Sequence, residues 1–262
     1  MTLTAQFNND TWRVELTLSG WPEDVALVER SVNGVFWQTV RGGVNLPVID
    51  GSATLSDWEY QEGVQNTYRV RSASGSGSGV ETATITPSHG GKIILKSVRY
   101  PFLNRPITVT DFTDPELGDR GGMFEVSGRS VPVSTPDQRA SSMFTVELMT
   151  DTREQARDMQ LILRANPHLF LHVPAGCPVP GGHVRVGSVT PRRPTRSAGT
   201  ERRYWPLPCR LVAPPGPQVV GGTMTYAGLL RLYGGYDNVL AANSEYADLL
   251  ALMGSPEDLV VI

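Results

Sequence analysis

The stretch Met143-Phe-Thr-Val-Glu-Leu-Met149, with the segments Thr152–Arg164 and His168-Leu-Phe-Leu-His-Val-Pro174 that follow it, decides the fold. Its first segment alternates apolar and polar residues with period two, which is typical of a half-buried strand. An earlier segment, Met123-Phe-Glu-Val-Ser127, alternates in the same way and predicts a second such strand. The last segment is short and strongly apolar, so the order strand, strand, helix, strand is predicted over Gly122–Pro174.

The middle segment predicts an amphipathic helix over residues 152–165. Asp151 or Thr152 can serve as its N-cap, with Glu154 or Gln155 as the capping-box partner. Asn166-Pro167 ends the helix, because the residue before proline is pushed out of the α region. The helix must bury its apolar stripe on the sheet, so one helix is expected to cover an otherwise all-β sandwich or split barrel. The stripe consists of Ala156, Met159, Ile162 and Leu163.

The first 87 residues contain several short alternating segments separated by turn signals, which favours an antiparallel β-sandwich. The strongest turn signal, Asn33-Gly34, predicts a two-residue hairpin. Thr67–Ser72 and Val80–Thr86 are expected to pair across the loop Ser74–Gly79. Large aromatic side chains usually serve cores. The predicted core aromatics are Trp12, Trp37, Trp58 and Tyr68.

Three motifs in this region carry a resemblance: Asp57-Trp-Glu-Tyr60, Glu62-Gly63-Val64 and Thr67-Tyr68-Arg69-Val70. Their order resembles the late part of a fibronectin type III domain, in which a tyrosine on the penultimate strand braces a corner of the sandwich. It is also similar to the N-terminal module of minor tail proteins of actinobacterial phages and prophages. The resemblance implies a fibronectin III-like β-sandwich over residues 1–87.

The middle of the chain, residues 92–212, resembles the helix-on-sandwich fold shared by phage tail-tube and distal tail proteins. The residues that carry this resemblance are Gly128-Arg129, Val131-Pro132-Val133, the strand from Met143 and the helix leading into Leu169–Pro174. The resemblance implies a ring, expected to be a hexamer, formed by copies of this domain at the end of a tail tube.

Residues 213–262 form the third predicted region. Pro214-Pro215-Gly216-Pro217 predicts a stiff linker. Tyr226-Ala-Gly-Leu-Leu230, Tyr236-Asp-Asn-Val-Leu240 and Tyr246-Ala-Asp-Leu-Leu250 recur with a ten-residue period and predict short helices, each with one apolar face. Helices this short are marginal alone, so they are expected to dock on the body of the protein or on another chain. Similar units end the minor tail proteins of actinobacterial phages.

Charge is divided unevenly along the chain. The formal net charge is −5 over residues 1–87, +6 over 88–222 and −4 over 223–262. This division suggests surfaces that attract one another between copies, a different partner for each part, or three unrelated solvated surfaces. The basic stretch Pro191–Arg203 is expected to be a hairpin tip that is either solvated or in contact with a neighbouring acidic subunit. The candidate interaction residues are Arg192, Arg193, Arg196, Arg202, Arg203, Tyr226, Leu230, Tyr236, Leu240, Tyr246 and Leu250.

The sequence contains no motif that would indicate an enzyme. Nucleophile elbows, phosphate loops and metalloprotease motifs do not occur, so no catalytic residue, metal ligand or cofactor is predicted. His168 and His172 share a strand face but have no third ligand nearby, and they are expected to be partly exposed. Cys177 and Cys209 are expected to be free, buried thiols. Neither a membrane span, a signal peptide nor sequence-specific nucleic-acid binding is predicted.

Together the resemblances imply a structural virion protein of the tail tip, either a distal tail or a minor tail protein, assembled in the host cytoplasm. Its expected partners are copies of itself, the tail tube protein, and hub, fibre or other minor tail proteins. The N-terminal domain is a candidate for contact with a host surface glycan. The alternative is a carbohydrate-binding accessory module of a cell-wall-active or secreted protein, with Trp21, Trp37 or Trp58 stacking on sugar.

Overall fold

The computed structural model describes residues 1–73, 79–135, 137–165, 168–195, 199–217 and 233–242. Within these ranges the chain is mainly β, which confirms the predicted fold class. Its strands form a sandwich followed by a closed barrel on which one helix packs. Each has its own apolar core, the first drawn from residues 3–85 and the second from residues 93–211.

The sandwich consists of the first eight strands. They are β1 (Thr2–Asn8), β2 (Arg13–Ser19), β3 (Val25–Ser31), β4 (Gln38–Thr39), β5 (Leu46–Pro47), β6 (Ala53–Asp57), β7 (Asn66–Ser72) and β8 (Glu81–Ile85). One sheet has the order β1-β2-β6 and the other β4-β3-β7-β8, with β5 pairing with β3. Every second residue of β7 is buried, as the alternation in its sequence predicts. The expected pairing of β7 with β8 is present.

The hairpin predicted at Asn33-Gly34 is wider than the two-residue turn expected, so that prediction is wrong. Arg30 pairs with Gln38, which leaves residues 31–37 in the connection. The Oδ1 atom of Asn33 accepts hydrogen bonds from the backbone N–H groups of Val35 and Phe36 at 3.0 and 2.9 Å. The side-chain oxygen of Asn33 thus bonds backbone N–H groups of the loop. In a tight two-residue turn, a carbonyl of the opposite strand would be the acceptor.

The aromatic core of the sandwich differs from the one predicted. Tyr68 is fully buried as expected, whereas Trp12, Trp37 and Trp58 are only half-buried. The core positions are taken instead by Trp21 and Tyr60. The Arg69 guanidinium lies 3.9 Å from the centre of the Trp37 ring, and that of Arg13 lies 5.4 Å from the Trp58 ring. Surface tryptophans covered by cations in this way do not need to enter a core.

The second core is surrounded by a six-stranded antiparallel barrel with the closed order β10-β13-β16-β15-β14-β9. The remaining strands of the chain are β9 (Ile93–Ser97), β10 (Arg105–Phe112), β11 (Gly122–Phe124), β12 (Val133–Thr135), β13 (Met143–Thr150), β14 (His168–His172), β15 (Gly182–Val186) and β16 (Arg203–Leu211). Closure gives every barrel strand two neighbours and leaves no open edge among them.

Helix α1 (Arg153–Ala165) follows β13, as predicted. Thr152 Oγ1 accepts a hydrogen bond from the Gln155 N–H, and Gln155 Oε1 accepts one from the Asp151 N–H. This reciprocal capping explains why the helix begins there. Met159 and Ile162 are buried in the barrel core, with Ala156 and Leu163 partly buried beside them, so the predicted stripe is confirmed.

The segment Met123–Ser127 does not form a half-buried core strand, and that prediction is wrong. β11 pairs only with β12, in a separate two-stranded sheet, and Met123 and Phe124 are exposed. The alternation of the sequence is that of a strand, but no part of the described chain covers its apolar residues. Alternation shows that a strand has an apolar face; it does not show which molecule covers that face.

Near the C-terminus the described chain contains helix α2 (Tyr236–Ala242), which coincides with the second ten-residue repeat. The other two repeats lie outside the described residues, together with the predicted contact residues Tyr226, Leu230, Tyr246 and Leu250. The side chains of Tyr236 and Leu240 are likewise outside the description. Among the described residues no helix has the length and apolar composition needed to cross a membrane.

Candidate functional site

The basic loop between β15 and β16 is partly neutralised by its own barrel. Arg192 forms an ion pair with Glu147, and Arg202 pairs with Asp151 at 2.7 Å. Arg203 donates to the carbonyl oxygens of Thr200 and Arg202. Arg193 is exposed and has no carboxylate partner among the described residues, whereas Arg196 lies outside them. The loop therefore offers a partner fewer free charges than its sequence suggests.

The longest run of exposed apolar side chains among the described residues includes Met123–Ser127, which the sequence predicts to be a half-buried strand. We call residues 117–135, which contain β11 and β12, the hairpin arm. Its tip turns at Val126–Arg129, where the Arg129 N–H donates to the Val126 carbonyl at 3.0 Å and Gly128 adopts a φ of +87°. Met123 and Val131 are 75% and 72% exposed. The exposed apolar residues of the arm are Leu117, Met123, Phe124, Val126, Val131 and Val133.

Among the described residues, the backbone hydrogen bonds that join the arm to the body of the protein lie at its base. Glu116 and Met143 exchange two backbone hydrogen bonds of 2.7 and 2.9 Å, and the Ala140 N–H donates to the Gly118 carbonyl at 2.8 Å. Beyond these contacts, β11 and β12 pair with no other strand of the described chain. An isolated two-stranded hairpin is marginal in water, and its open edges are templates for further pairing. The arm therefore has the properties of a surface that another chain covers.

A hollow of about 570 Å³ opens beside the base of the arm. Its lining includes Asp114, Glu116, Arg185 and Arg210. Arg185 and Arg210 lie directly opposite each other on β15 and β16, and neither forms an ion pair with a described carboxylate. Like charges facing each other across two strands are unfavourable, so this pair would be stabilised by a carboxylate from outside.

The sandwich and the barrel meet at a buried joint, which we define by Tyr60, Glu62, His89, Lys96 and His172. Four of these side chains are at most 4% exposed, and Glu62 is buried as well. Lys96 Nζ donates to the backbone carbonyls of two sandwich residues, Trp12 and Trp58, at 2.8 Å each. Glu62 accepts hydrogen bonds from Ser88 Oγ and from the Ala175 N–H, both at 3.2 Å.

Three rings fill the centre of the joint. The His172 ring lies 4.5 Å from the Tyr60 ring and 4.8 Å from the His89 ring, in edge-to-face arrangements. The Tyr60 hydroxyl and all four imidazole nitrogens make no hydrogen bond with the described residues. Burial lowers the pKa of both histidines and raises that of the Tyr60 phenol. These histidines are therefore packed as neutral aromatic rings, and the prediction that His172 is partly exposed is wrong.

The chain that leaves the barrel is held against the sandwich by Arg41. Arg41 Nη1 donates to the Gly216 carbonyl at 2.9 Å, and Arg41 Nη2 forms an ion pair of 2.6 Å with Glu59 Oε1. The Gly42 N–H also donates to the Pro217 carbonyl at 2.8 Å. The predicted proline-rich linker thus begins as a segment that is hydrogen-bonded to the sandwich.

The described residues do not offer an arrangement typical of catalysis. No group of three His, Cys, Asp or Glu side chains among them is placed to share a metal ion. The Lys96 ammonium beside His89 and His172 would also repel a cation there. Both cysteines are free; Cys209 is buried, and burial raises the pKa of its thiol to about 12, so it is not a reactive thiolate. Cys177 is half-buried.

Comparison with protein-family models and with curated proteins gives no match to this chain. The hairpin arm and the joint were not predicted from the sequence. Gly128 marks the turn at the tip of the arm, but the sequence pattern of its strands is the same as that of core strands.

Proposed function

We propose that this protein is a structural subunit of a phage tail tip, a distal tail or minor tail protein that forms a ring joining the tail tube to tip or fibre proteins. The observation that carries the proposal is the hairpin arm, which is apolar, has unpaired edges and is anchored at one end. A monomer gains nothing from exposing such an arm, whereas a subunit of an assembly buries it.

We infer a ring from two unlike surfaces, the arm and the hollow, that could contact each other between copies. The two surfaces differ in shape and chemistry, so contact between the arm of one copy and the hollow of the next is heterologous. A heterologous contact forms a closed ring when its rotation closes and a filament when it does not. The hexamer, the tube-protein contact and the location in a virion come from the resemblances and are part of the proposal.

The proposal is tested by measuring the mass of the purified protein with light scattering and imaging it in negative stain, alone and with tube protein. We expect rings, alone or on tube ends, for the natural sequence. Met123→Ser with Val131→Ser should yield monomers, because it removes the apolar contact from the arm. The matched control is Val35→Ser with Phe36→Ser, which alters an equally exposed apolar loop on the sandwich and should leave rings intact.

Two outcomes would contradict this function. One is a natural sequence that stays monomeric and does not bind tube ends. The other is ring formation by the arm variant to the same extent as by the control. The first outcome would show that the protein has no assembly role. The second would show that the contact between copies does not involve the arm.

The alternative of a carbohydrate-binding module has less support. Trp21 is buried and cannot stack on a sugar, and cations lie over the rings of Trp37 and Trp58. Phe36, beside Trp37, is exposed, so the loop that carries these two residues is the remaining candidate for a contact with sugar. A glycan array comparing the natural protein with Trp37→Ala tests it, since specific binding lost in the variant would establish a glycan contact for the sandwich.

A further inference from the structure

We propose that the joint between sandwich and barrel is a proton-operated latch, closed when His89 and His172 are neutral and released when they take up protons. The inference concerns a single chain and does not depend on the proposed assembly. It follows from where the two rings lie, from what surrounds them and from the hydrogen bonds that they lack.

The position of the rings links their protonation to the contact between the two cores. His89 belongs to the connection between sandwich and barrel, and His172 ends β14 in the barrel. Both rings pack on Tyr60, which belongs to the core of the sandwich. Neither ring can reach water unless these surfaces separate, because both are at most 4% exposed. Opening the joint is therefore the step that gives them access to protons.

The surroundings of the rings disfavour the charged form. An imidazolium has two N–H donors, and neither ring makes a well-formed hydrogen bond. The backbone of Lys92 beside His89 and that of Tyr60 beside His172 favour the charged form, but burial outweighs them. The Lys96 ammonium is held in the same joint by two carbonyls, so each new charge would also meet a like charge. Glu62 is the only carboxylate that defines the joint, and it already binds Ser88 and Ala175. The titratable and charged groups that act on the two rings are Arg30, Tyr60, Glu62, Lys92 and Lys96, besides each ring on the other.

The direction of the pH effect follows from linkage. An exposed histidine in the open joint has the ordinary pKa of 6.5, whereas the closed joint lowers the pKa of both rings. The open form therefore binds more protons below about pH 6.5, and the closed form loses stability as the pH falls. Between pH 7.0 and 5.0 one histidine raises the opening equilibrium by up to about 25-fold, and two by up to about 600-fold.

Lys96 contributes little to the opening equilibrium in the same pH range. Burial lowers its pKa to about 7, so it titrates mostly above this range and changes the equilibrium only about twofold between pH 7.0 and 5.0.

Hydrogen exchange of two backbone amides tests the latch directly. The Gly63 N–H donates to the Pro87 carbonyl and the Ala175 N–H to Glu62, so both amides report on the closed joint. After correction for the intrinsic pH dependence of exchange, we expect their protection to fall by about 25-fold to 600-fold between pH 7.0 and 5.0. The protection of amides in β13 and β16 of the barrel should not change between the two pH values.

Variants decide whether the histidines are responsible. His89→Phe with His172→Phe keeps aromatic rings that cannot be protonated, and it should abolish the loss of protection. His168→Phe, on the same strand β14, should behave like the natural sequence. If the double variant does not fold at pH 7.0, each single variant should retain only the part of the effect that belongs to the other histidine.

Unchanged protection of Gly63 and Ala175 in the natural sequence at pH 5.0 would overturn the proposal. So would a double phenylalanine variant that loses protection as the natural sequence does. Loss of protection throughout the barrel at pH 5.0 would also overturn it, since the event would then be general acid unfolding.

Discussion

Two buried polar clusters in this molecule are built on opposite plans. In the sandwich, Asp57 accepts hydrogen bonds from Arg30 at 2.6 Å, from the Tyr68 hydroxyl at 2.8 Å and from the Glu59 N–H at 2.8 Å. In the joint, Lys96 and Glu62 make hydrogen bonds, but the Tyr60 hydroxyl and the nitrogens of His89 and His172 make none. A fully satisfied network stabilises one arrangement, whereas an unsatisfied one makes separation less costly. From this difference we expect the sandwich to stay folded while its contact with the barrel can open.

The largest effect is expected from Asp57→Ala. The change leaves the Arg30 guanidinium and the Tyr68 hydroxyl without their acceptor in a buried site, and should lower the free energy of unfolding by about 3–5 kcal/mol. Urea denaturation followed by circular dichroism measures it. Tyr68→Phe is the control, because it removes one hydrogen bond and leaves the ion pair, and it should cost about 1 kcal/mol. Equal losses in the two variants would show that the ion pair contributes nothing.

The next effect concerns Lys96, for which burial lowers the pKa to about 7. The unfolded chain then binds more protons than the folded one between about pH 7 and the ordinary value of 10.5, so stability should rise with pH across this window. The rise from pH 7.0 to 9.5 is about 3 kcal/mol. A neutral amine still has two N–H groups for the carbonyls of Trp12 and Trp58, which keeps the contact intact.

The matched variant for this prediction is Lys96→Met. It should abolish the rise in stability between pH 7.0 and 9.5, and it should leave two carbonyls without a donor at a cost of about 1–3 kcal/mol at pH 9.5. Denaturant midpoints at both pH values provide the measurement. A natural sequence whose stability falls over this window would mean that the folded state favours the charged ammonium.

A smaller effect is expected from His172→Phe at pH 7.0. The change removes two buried nitrogens that make no hydrogen bond and adds little volume, so the free energy of unfolding should change by less than about 1.5 kcal/mol. Thermal unfolding of both proteins at pH 7.0 is the measurement. A loss as large as that of Asp57→Ala would refute the contrast between the two clusters, because it would show that His172 is held by strong polar contacts.

The smallest effect is expected from Arg202→Ala. Arg202 and Asp151 form an ion pair whose two side chains are each 50% exposed, and exposed pairs of this kind contribute about 1 kcal/mol at most. The unfolding free energy should therefore barely change, and raising the salt concentration should reduce the difference further. A loss of unfolding free energy as large as that expected for Asp57→Ala would contradict this prediction. It would show that the exposed pair of Arg202 and Asp151 contributes as much as the buried pair of Arg30 and Asp57.

Much of the architecture could be predicted because it depends on local patterns. The alternation in Met143–Met149 and the capping pair of Thr152 and Gln155 are properties of neighbouring residues, and each produced the predicted element. The turn at Asn33-Gly34 failed for an equally local reason. The Asn33 side chain accepts hydrogen bonds from the N–H groups of Val35 and Phe36, and the types of the neighbouring residues do not show that these bonds will form.

The candidate surfaces were less predictable because they depend on contacts between distant parts of the chain. The segment Met123–Ser127 has the alternation of a core strand, and only the fold shows that no core reaches it. His89 and His172 are 83 positions apart in the sequence, and neither has a neighbour that marks it as buried. Arg192 and Arg202 were predicted as free contacts, but Glu147 and Asp151 lie within reach of them in the folded barrel.

The sequence by itself determined the mainly β character of this protein and the helix that packs on its barrel, because periodicity and capping act over a few residues. Tertiary structure decided which apolar strand is left uncovered, which arginines are neutralised and which histidines are buried. These properties depend on distances between residues far apart in the chain, and such distances exist only once the sandwich and the barrel have packed together.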